Sequence, residues 1–147
     1  MTEWFARPVM HVSNVEASLY QDLVAKMTDG DRLSRWHTGG PQDPTNQMVI
    51  DLGASRVVTG LEMEIAGYVA DFPRQLVIEL SDDNARWRTA WSGRTAFVSL
   101  LAALHDPLAV PLRFAIDGVP ARYVRLRQTD RTLIYYWSIA ELHVFGQ

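Results

Sequence analysis

A histidine, an arginine and a set of aromatic rings are the residues of this chain best suited to hold a small polar molecule. His37 sits in the run Trp36-His37-Thr38. A neutral imidazole donates a hydrogen bond at one nitrogen and accepts at the other, which suits a hydroxyl group that does both. Arg74 follows Asp71-Phe72-Pro73 and opens a run of alternating residues. Its guanidinium presents forked donors that can bridge two adjacent hydroxyls. Tyr68 and Phe72, in the same stretch, offer flat apolar faces for the C–H side of a sugar ring. Tyr135-Tyr136-Trp137 is denser still. Three consecutive rings cannot all face one core, so Trp137 is expected inside and Tyr135 the more exposed. His37, Arg74, Tyr68, Phe72 and Tyr135 together make a plausible sugar site. The structural alternatives are an ordinary loop histidine, a Phe72 that plugs the core and an Arg74 paired with a carboxylate.

Reaction chemistry is poorly represented. His11, His37, His105 and His143 show no HExxH or other metal spacing, and no GxSxG elbow or glycine-rich phosphate loop occurs. Glu62 and Glu64 share a strand face, but outward carboxylates among solvated charges lack the enclosing cleft that catalysis needs. Cysteine is absent, which removes thiolate nucleophiles, cysteine-bound zinc and a disulfide framework. The expectation is that the protein is not an enzyme.

These residues must be positioned by strands. Met48, Ile50 and Leu52 alternate with polar neighbours, as do Leu61, Met63 and Ile65, and Leu76, Ile78 and Leu80. Leu112, Phe114 and Ile116, Val124 and Leu126, and Ala140, Leu142 and Val144 continue the pattern. Period-two alternation in short runs means strands with one buried and one wet face. Ser81-Asp82-Asp83-Asn84 reads as a hairpin turn, and Asp117-Gly118-Val119-Pro120 as a sharp break before another strand. Two segments depart from the pattern. Val15, Leu19, Leu23 and Met27 fall at helical spacing, behind Ser13 or Asn14 as N-cap, and predict a short N-terminal helix. Phe97–Leu104 is apolar without alternation and reads as a short helix or buried loop over the sandwich. The expected fold is all-β, an antiparallel jelly-roll β-sandwich, with residues 1–147 as a single domain.

The 147 residues carry a net charge of −3, which argues against a general phosphate-backbone binder, so no nucleic-acid partner is expected. No apolar stretch is long enough to span a bilayer, so membrane insertion is not expected. Lys26 is the only lysine, so the loops lack the basic rim that would seat them on lipid headgroups. Met1 to Met10 has no basic stretch followed by an apolar run, so a signal peptide is not expected there. The chain is then either cytoplasmic or a piece of a longer exported or membrane-anchored protein; if the parent is exported, an extracellular or periplasmic location is expected.

The stretch Asp29-Gly30-Asp31-Arg32-Leu33-Ser34-Arg35-Trp36-His37-Thr38 resembles the DGxxxTxW signature of the coagulation factor five/eight type C, or discoidin, superfamily. That superfamily includes the family 32 carbohydrate-binding modules. Further matches follow in the family's order: Val49-Ile50-Asp51-Leu52-Gly53, Pro73-Arg74, Glu79-Leu80-Ser81-Asp82-Asp83 with Trp87 after it, and Ala121-Arg122-Tyr123-Val124-Arg125-Leu126. Ser138 to Gly146 closes the pattern. The run Thr38-Gly39-Gly40-Pro41-Gln42, with Tyr135-Tyr136-Trp137, is also similar to discoidin-like modules attached to bacterial membrane glycosyltransferases.

The resemblance implies a jelly roll whose chain ends meet, a structural calcium near that place and a ligand site in the loops. On motif position Asp29 would give the calcium its carboxylate, Asp31 its carbonyl, Ser34 its hydroxyl and Glu141 its carboxylate. Serine stands at position 34 where threonine is usual, which keeps the hydroxyl. The family's tryptophan at Trp36 is mainly structural, and the histidine in the same context binds a ligand hydroxyl in sugar-binding relatives, which His37 would match. The implied function is a non-catalytic carbohydrate-binding module, for a galactose-like sugar or cell-surface glycan, working as an accessory domain of a larger bacterial glycan-active or cell-surface protein. The alternative is a protein-interaction domain of the same fold without a sugar site.

Overall fold

In the computed structural model residues 8–147 are described, and Met1–Arg7, most of the stretch read above for a leader, lie outside it. Strand β1 (Asn14–Ala17) leads into a 3-10 helix (Gln21–Met27) and the two-residue β2 (Trp36–His37). Then come β3 (Gln47–Glu64), β4 (Gln75–Ser81), β5 (Arg88–Arg94), helix α1 (Ala96–His105), β6 (Pro111–Gln128), β7 (Ser138–Ile139) and β8 (Glu141–Gly146). Every pairing is antiparallel.

The architecture turns on two long strands. At about 3.3 Å per residue, 18 residues would reach ~60 Å if straight, more than a compact chain of this size can span. β3 therefore bends, with register breaks between Asp51 and Arg56 and between Val58 and Gly60. Its first half pairs with β1 and the end of β6, and its second half with β8 and the beginning of β6. β4 adds to the end of β6, and β5 to β4. Ile50, Ile78 and Leu126 from one half meet Leu61, Met63, Leu112 and Leu142 from the other in a single buried cluster. The molecule is the expected antiparallel β-sandwich, closed by strands that serve both layers.

Three local expectations need correction. Asp117–Pro120 lies inside β6 rather than before a new strand; Val119 and Pro120 pair with Val58 and Val57 beside the irregular register, where a proline is tolerated. Val15 belongs to β1, paired with Ile50, so Ser13 and Asn14 cap nothing; the helix begins only at Gln21, after a left-handed Tyr20, and buries Met27. Glu62 and Glu64 are buried at 6% and 5% exposure rather than solvated. A buried carboxylate persists only when paired. Arg113 Nε donates to Glu62 over 2.7 Å, His143 Nδ1 lies 3.0 Å from the same carboxylate, and Arg32 grips Glu64 through two bonds of 2.7 and 3.0 Å. Glu79 is held likewise by Arg125 and Arg127. The Phe97–Leu104 stretch is indeed helical, but Phe97, Leu100, Leu101 and Leu104 of α1 are exposed, and only Ser99 and Ala102 are buried.

Candidate binding site at the loop end

Loops far apart in sequence are sewn together beside the short β2–β7 pair. Trp36 pairs with Ile139 and His37 with Ser138, so the Trp36-His37-Thr38 run is brought against the Tyr135–Trp137 loop. Beneath them the Trp36 and Trp137 rings, both fully buried, meet edge-on at 5.1 Å. Gln42 is the tie between three loops. It is buried, its Nε2 donates to the carbonyls of Phe72 and Tyr136 at 2.9 Å each, and its Oε1 accepts the Arg74 amide at 3.0 Å. Its backbone amide donates to the Tyr135 carbonyl.

On this frame His37 is half-buried, with Tyr20 on one side at 5.4 Å and Tyr136 on the other at 5.9 Å. It is not the unconstrained loop histidine expected, because pairing with Ser138 fixes its backbone. Its Nδ1 accepts the Gly39 amide at 3.0 Å. Burial, with the charge of Arg35 adding, lowers its pKa below the ordinary imidazole value. The ring is therefore neutral at pH 7 with its proton on Nε2, and it offers a ligand one donor rather than a donor and an acceptor. Gly39 is required here: at φ +67° a Cβ would meet the Tyr20 ring at 2.2 Å.

Arg74 lies 3.7 Å from the centre of the Phe72 ring and 4.7 Å from that of Tyr135. Its Nη1 donates to the Phe72 carbonyl at 2.9 Å, and it forms no ion pair among the described residues. The pairing alternative for Arg74 is thus not what the structure contains. Phe72 packs against the core edge, as the structural alternative for it held, and Arg74 covers one face of its ring as Arg35 covers Tyr68. Tyr68 is covered in the same way. Arg35 lies 3.7 Å over its ring, and that guanidinium is held by Asp71 at 2.8 Å and Ser138 at 2.9 Å. One face of Tyr68 is consequently occupied by the protein itself. Tyr135 is 42% exposed and Trp137 fully buried. Since Tyr135 and Tyr136 are consecutive, His37 and Arg74 flank one aromatic run.

The oxygen groups named for a cation also stand together. Ser34 Oγ donates to Asp29 at 2.6 Å and lies 3.1 Å from the Asp31 carbonyl, while Glu141 accepts the Gly30 amide at 2.8 Å. The hydrogen bond from Ser34 lowers the pKa of Asp29; burial raises that of Glu141, with Asp29 adding to it. Two neighbouring carboxylates, a hydroxyl and a carbonyl are the hard-oxygen set that calcium takes. A second cluster, Glu62, Glu64 and His143, has ligand atoms within 4.8 Å of one another. Arginines already neutralise both of its carboxylates, so it is an ion-pair network first.

Comparison with known proteins bears on the family and the fold. The profile of the F5/8 type C domain matches residues 11–142. The chain belongs to the F5/8 type C domain family. No curated protein matches this F5/8 type C domain in sequence. Among solved structures it is similar to the CBM32 of AlyQ in complex with 4,5-unsaturated mannuronic acid, at 18% identity and a TM-score of 0.74, over 95% of this chain and 99% of that one. It is similar to the family 32 CBM of NanJ from Clostridium perfringens in complex with galactose, at 16% identity and 0.69, over 90% and 93%. It is also similar to chitosan-binding module 1 of a chitosanase/glucanase from Paenibacillus sp. IK-5, at 21% and 0.65, over 95% of each. These likenesses establish the fold.

Sequence reasoning passed over two residues that frame this candidate site. Tyr20 was placed in a helix, and Gln42 was noted only as part of a resemblance. The left-handed backbone at Tyr20 carries no composition signal. For Gln42, the pair of glycines just before it was the available hint of a tight loop needing an internal tie.

Proposed function

We propose that this F5/8 type C domain is a non-catalytic carbohydrate-binding module that takes a sugar at its loop end. The observation that carries the reading is the arrangement of His37 and Arg74 around the exposed Tyr135 and the half-buried Tyr136, with a donor on each side of the pair. Rings supply the face on which C–H groups of a pyranose rest, and the two side chains supply orienting hydrogen bonds. The solved relatives support it, since those named above are modules that hold 4,5-unsaturated mannuronic acid, galactose and, for the third, chitosan. The chain also matches 34% of a truncated AlyQ carrying CBM32 and alginate lyase domains, which fits an accessory role beside a catalytic partner. Such a module adds weak local affinity and so raises the effective concentration of its partner at a glycan. The absence of catalysis is part of the proposal: Glu62, Glu64 and Glu79 are committed to arginines. A structural calcium, held by Asp29, the Asp31 carbonyl, Ser34 and Glu141, would tie the Asp29–Ser34 loop to β8.

The test is a glycan array with wild type and His37→Ala/Arg74→Ala, each with and without chelator. Binding to a defined glycan that the double variant loses supports the module. Silence across the array from folded protein overturns it. A fall in melting temperature with chelator, abolished in Asp29→Asn/Glu141→Gln, would support the calcium.

One observation favours a second reading, a docking surface for another part of a larger protein. α1 has no Asp, Glu, Lys or Arg, and a cavity of about 390 Å³ lies beside it, lined by Val98, Leu101, Ala102, His105, Pro111 and Arg113. His37 and Arg74 do not line it, so the two surfaces can be tested separately.

A further inference from the structure

The loop end holds two stacked guanidiniums that differ in one respect. Arg35, over Tyr68, has a counter-charge: Asp71 lies 2.8 Å from its Nη1, and Ser138 completes the group. Arg74, between Phe72 and Tyr135, has none among the described residues. The carboxylates that act on it from further away, Asp71 and Asp130, are already engaged by Arg35 and by Arg94. Rings on its flanks strip it of water without replacing the lost interaction, and burial accordingly lowers its pKa.

Phenol hydroxyls aside, which both donate and accept, the hydrogen-bonding inventory is one-sided as well. Arg74 spends one Nη1 proton on the Phe72 carbonyl, which leaves its Nε–Nη2 edge without an acceptor among the described residues. That edge is the fork that meets the two oxygens of a carboxylate. His37 has given its only acceptor, Nδ1, to the Gly39 amide, so what remains is the Nε2 proton. Both polar groups that flank Tyr135 and Tyr136 are thus donors. A sugar hydroxyl brings a proton of its own that needs an acceptor, whereas a carboxylate only accepts.

We infer that the sugar this site takes is acidic: Arg74 holds the carboxylate of a uronic acid residue through its Nε–Nη2 edge, and His37 Nε2 donates to a further oxygen of the same ligand. This rests on the carbohydrate-binding reading above and narrows it to one class of glycan.

Calorimetric titration of the full chain with oligomers of galacturonate, mannuronate, guluronate and glucuronate, each beside its carboxyl-reduced form, tests it. At least one acidic oligomer should bind tenfold or more tightly than its reduced counterpart, and raised salt should erode that preference. Arg74→Gln should remove the preference. Arg74→Lys, which keeps the charge but not the fork, should retain part of it. Arg131→Gln, an exposed arginine paired with Asp43, should leave it unchanged. Equal affinity for acidic and reduced oligomers, or binding to neutral glycans alone, overturns the inference and leaves the sugar module standing. No binding to any glycan by protein of normal melting temperature overturns both.

Discussion

The outer face of the sheet and the loop end both gather arginines, and they treat them in opposite ways. On the sheet, Arg125 and Arg127 converge on Glu79, and Arg113 with His143 converges on Glu62. Each carboxylate is under a tenth exposed, and each has two positive or chargeable partners across neighbouring strands. At the loop end, Arg74 has rings instead of carboxylates. A charge that is fully paired within the fold has little left to offer a ligand. A charge that is stacked, partly dehydrated and unpaired retains an interaction that only a ligand can complete. The difference separates side chains that hold the sandwich from side chains that serve the surface.

The largest effect that would sharpen this contrast is on stability. Glu79→Ala leaves two arginines facing each other across a half-buried gap, and breaking a buried pair costs up to ~3–5 kcal/mol. Because Arg125 and Arg127 keep partial access to water, a loss of about 3 kcal/mol is expected, read by urea denaturation. Glycan affinity should be untouched. Arg74→Ala should do the reverse. Its stacking on Phe72 is worth about 1 kcal/mol at a partly exposed site, so stability should fall little. Affinity should drop by about thirtyfold or more, the scale of an arginine anchor of about 2 kcal/mol. If Arg74→Ala proved as destabilising as Glu79→Ala, the division between the two regions would collapse.

Gly39→Ala probes the frame of the site without touching a donor. A left-handed alanine costs about 1 kcal/mol, and its Cβ would displace the Tyr20 ring from beside His37. The expected result is a loss of about 1 kcal/mol in stability and roughly tenfold in affinity, the latter equivalent to about 1.4 kcal/mol. Unchanged glycan binding in this variant would remove Tyr20 from the site.

How far these regions could be read from the residues follows the reach of their contacts. Alternation in Met48–Leu52, Leu61–Ile65 and Leu76–Leu80 marks core-facing positions because each strand reports its own two faces. It does not report what covers the outer face. Arg32 reaches Glu64 from 32 positions away and Arg113 reaches Glu62 from 51, so two carboxylates read as solvated turned out buried. The individual side chains of the candidate site were legible by type, and the structure brings His37, Arg74, Phe72 and Tyr135 to one loop end. Their partners were not, because Gln42 works through loops 30 and 94 residues distant. The surroundings of Tyr68 were hidden for the same reason; proximity in sequence to Phe72 said nothing of the Arg35 that covers one face of its ring.

The smallest effect separates the two regions by pH. Glu62 raises the pKa of His143 chiefly through their hydrogen bond, against the opposing pull of burial. A group whose folded pKa is raised stabilises the fold fully below its unfolded value, here 6.5, and that contribution is lost as pH rises through the folded value. The opposite group, Glu62, is held below its ordinary carboxylate pKa although burial pushes the other way, because His143 and Arg113 outweigh it. Its contribution is present above 4.5 and is lost as pH falls through the lowered folded value. Both are in force together between pH 4.5 and 6.5. The sheet pair should therefore make the protein more stable at pH 6 than at pH 8.5 by about 1 kcal/mol, the scale of one hydrogen bond. His143→Gln should flatten that slope above pH 6.5. Neutral His37, with its pKa lowered below 6.5, should not gain charge at pH 7 or above, so glycan affinity should stay level from pH 7 to 8.5. A parallel fall of affinity and stability between pH 7 and 8.5 would mean that the two regions communicate, and that the sheet face is more than scaffold.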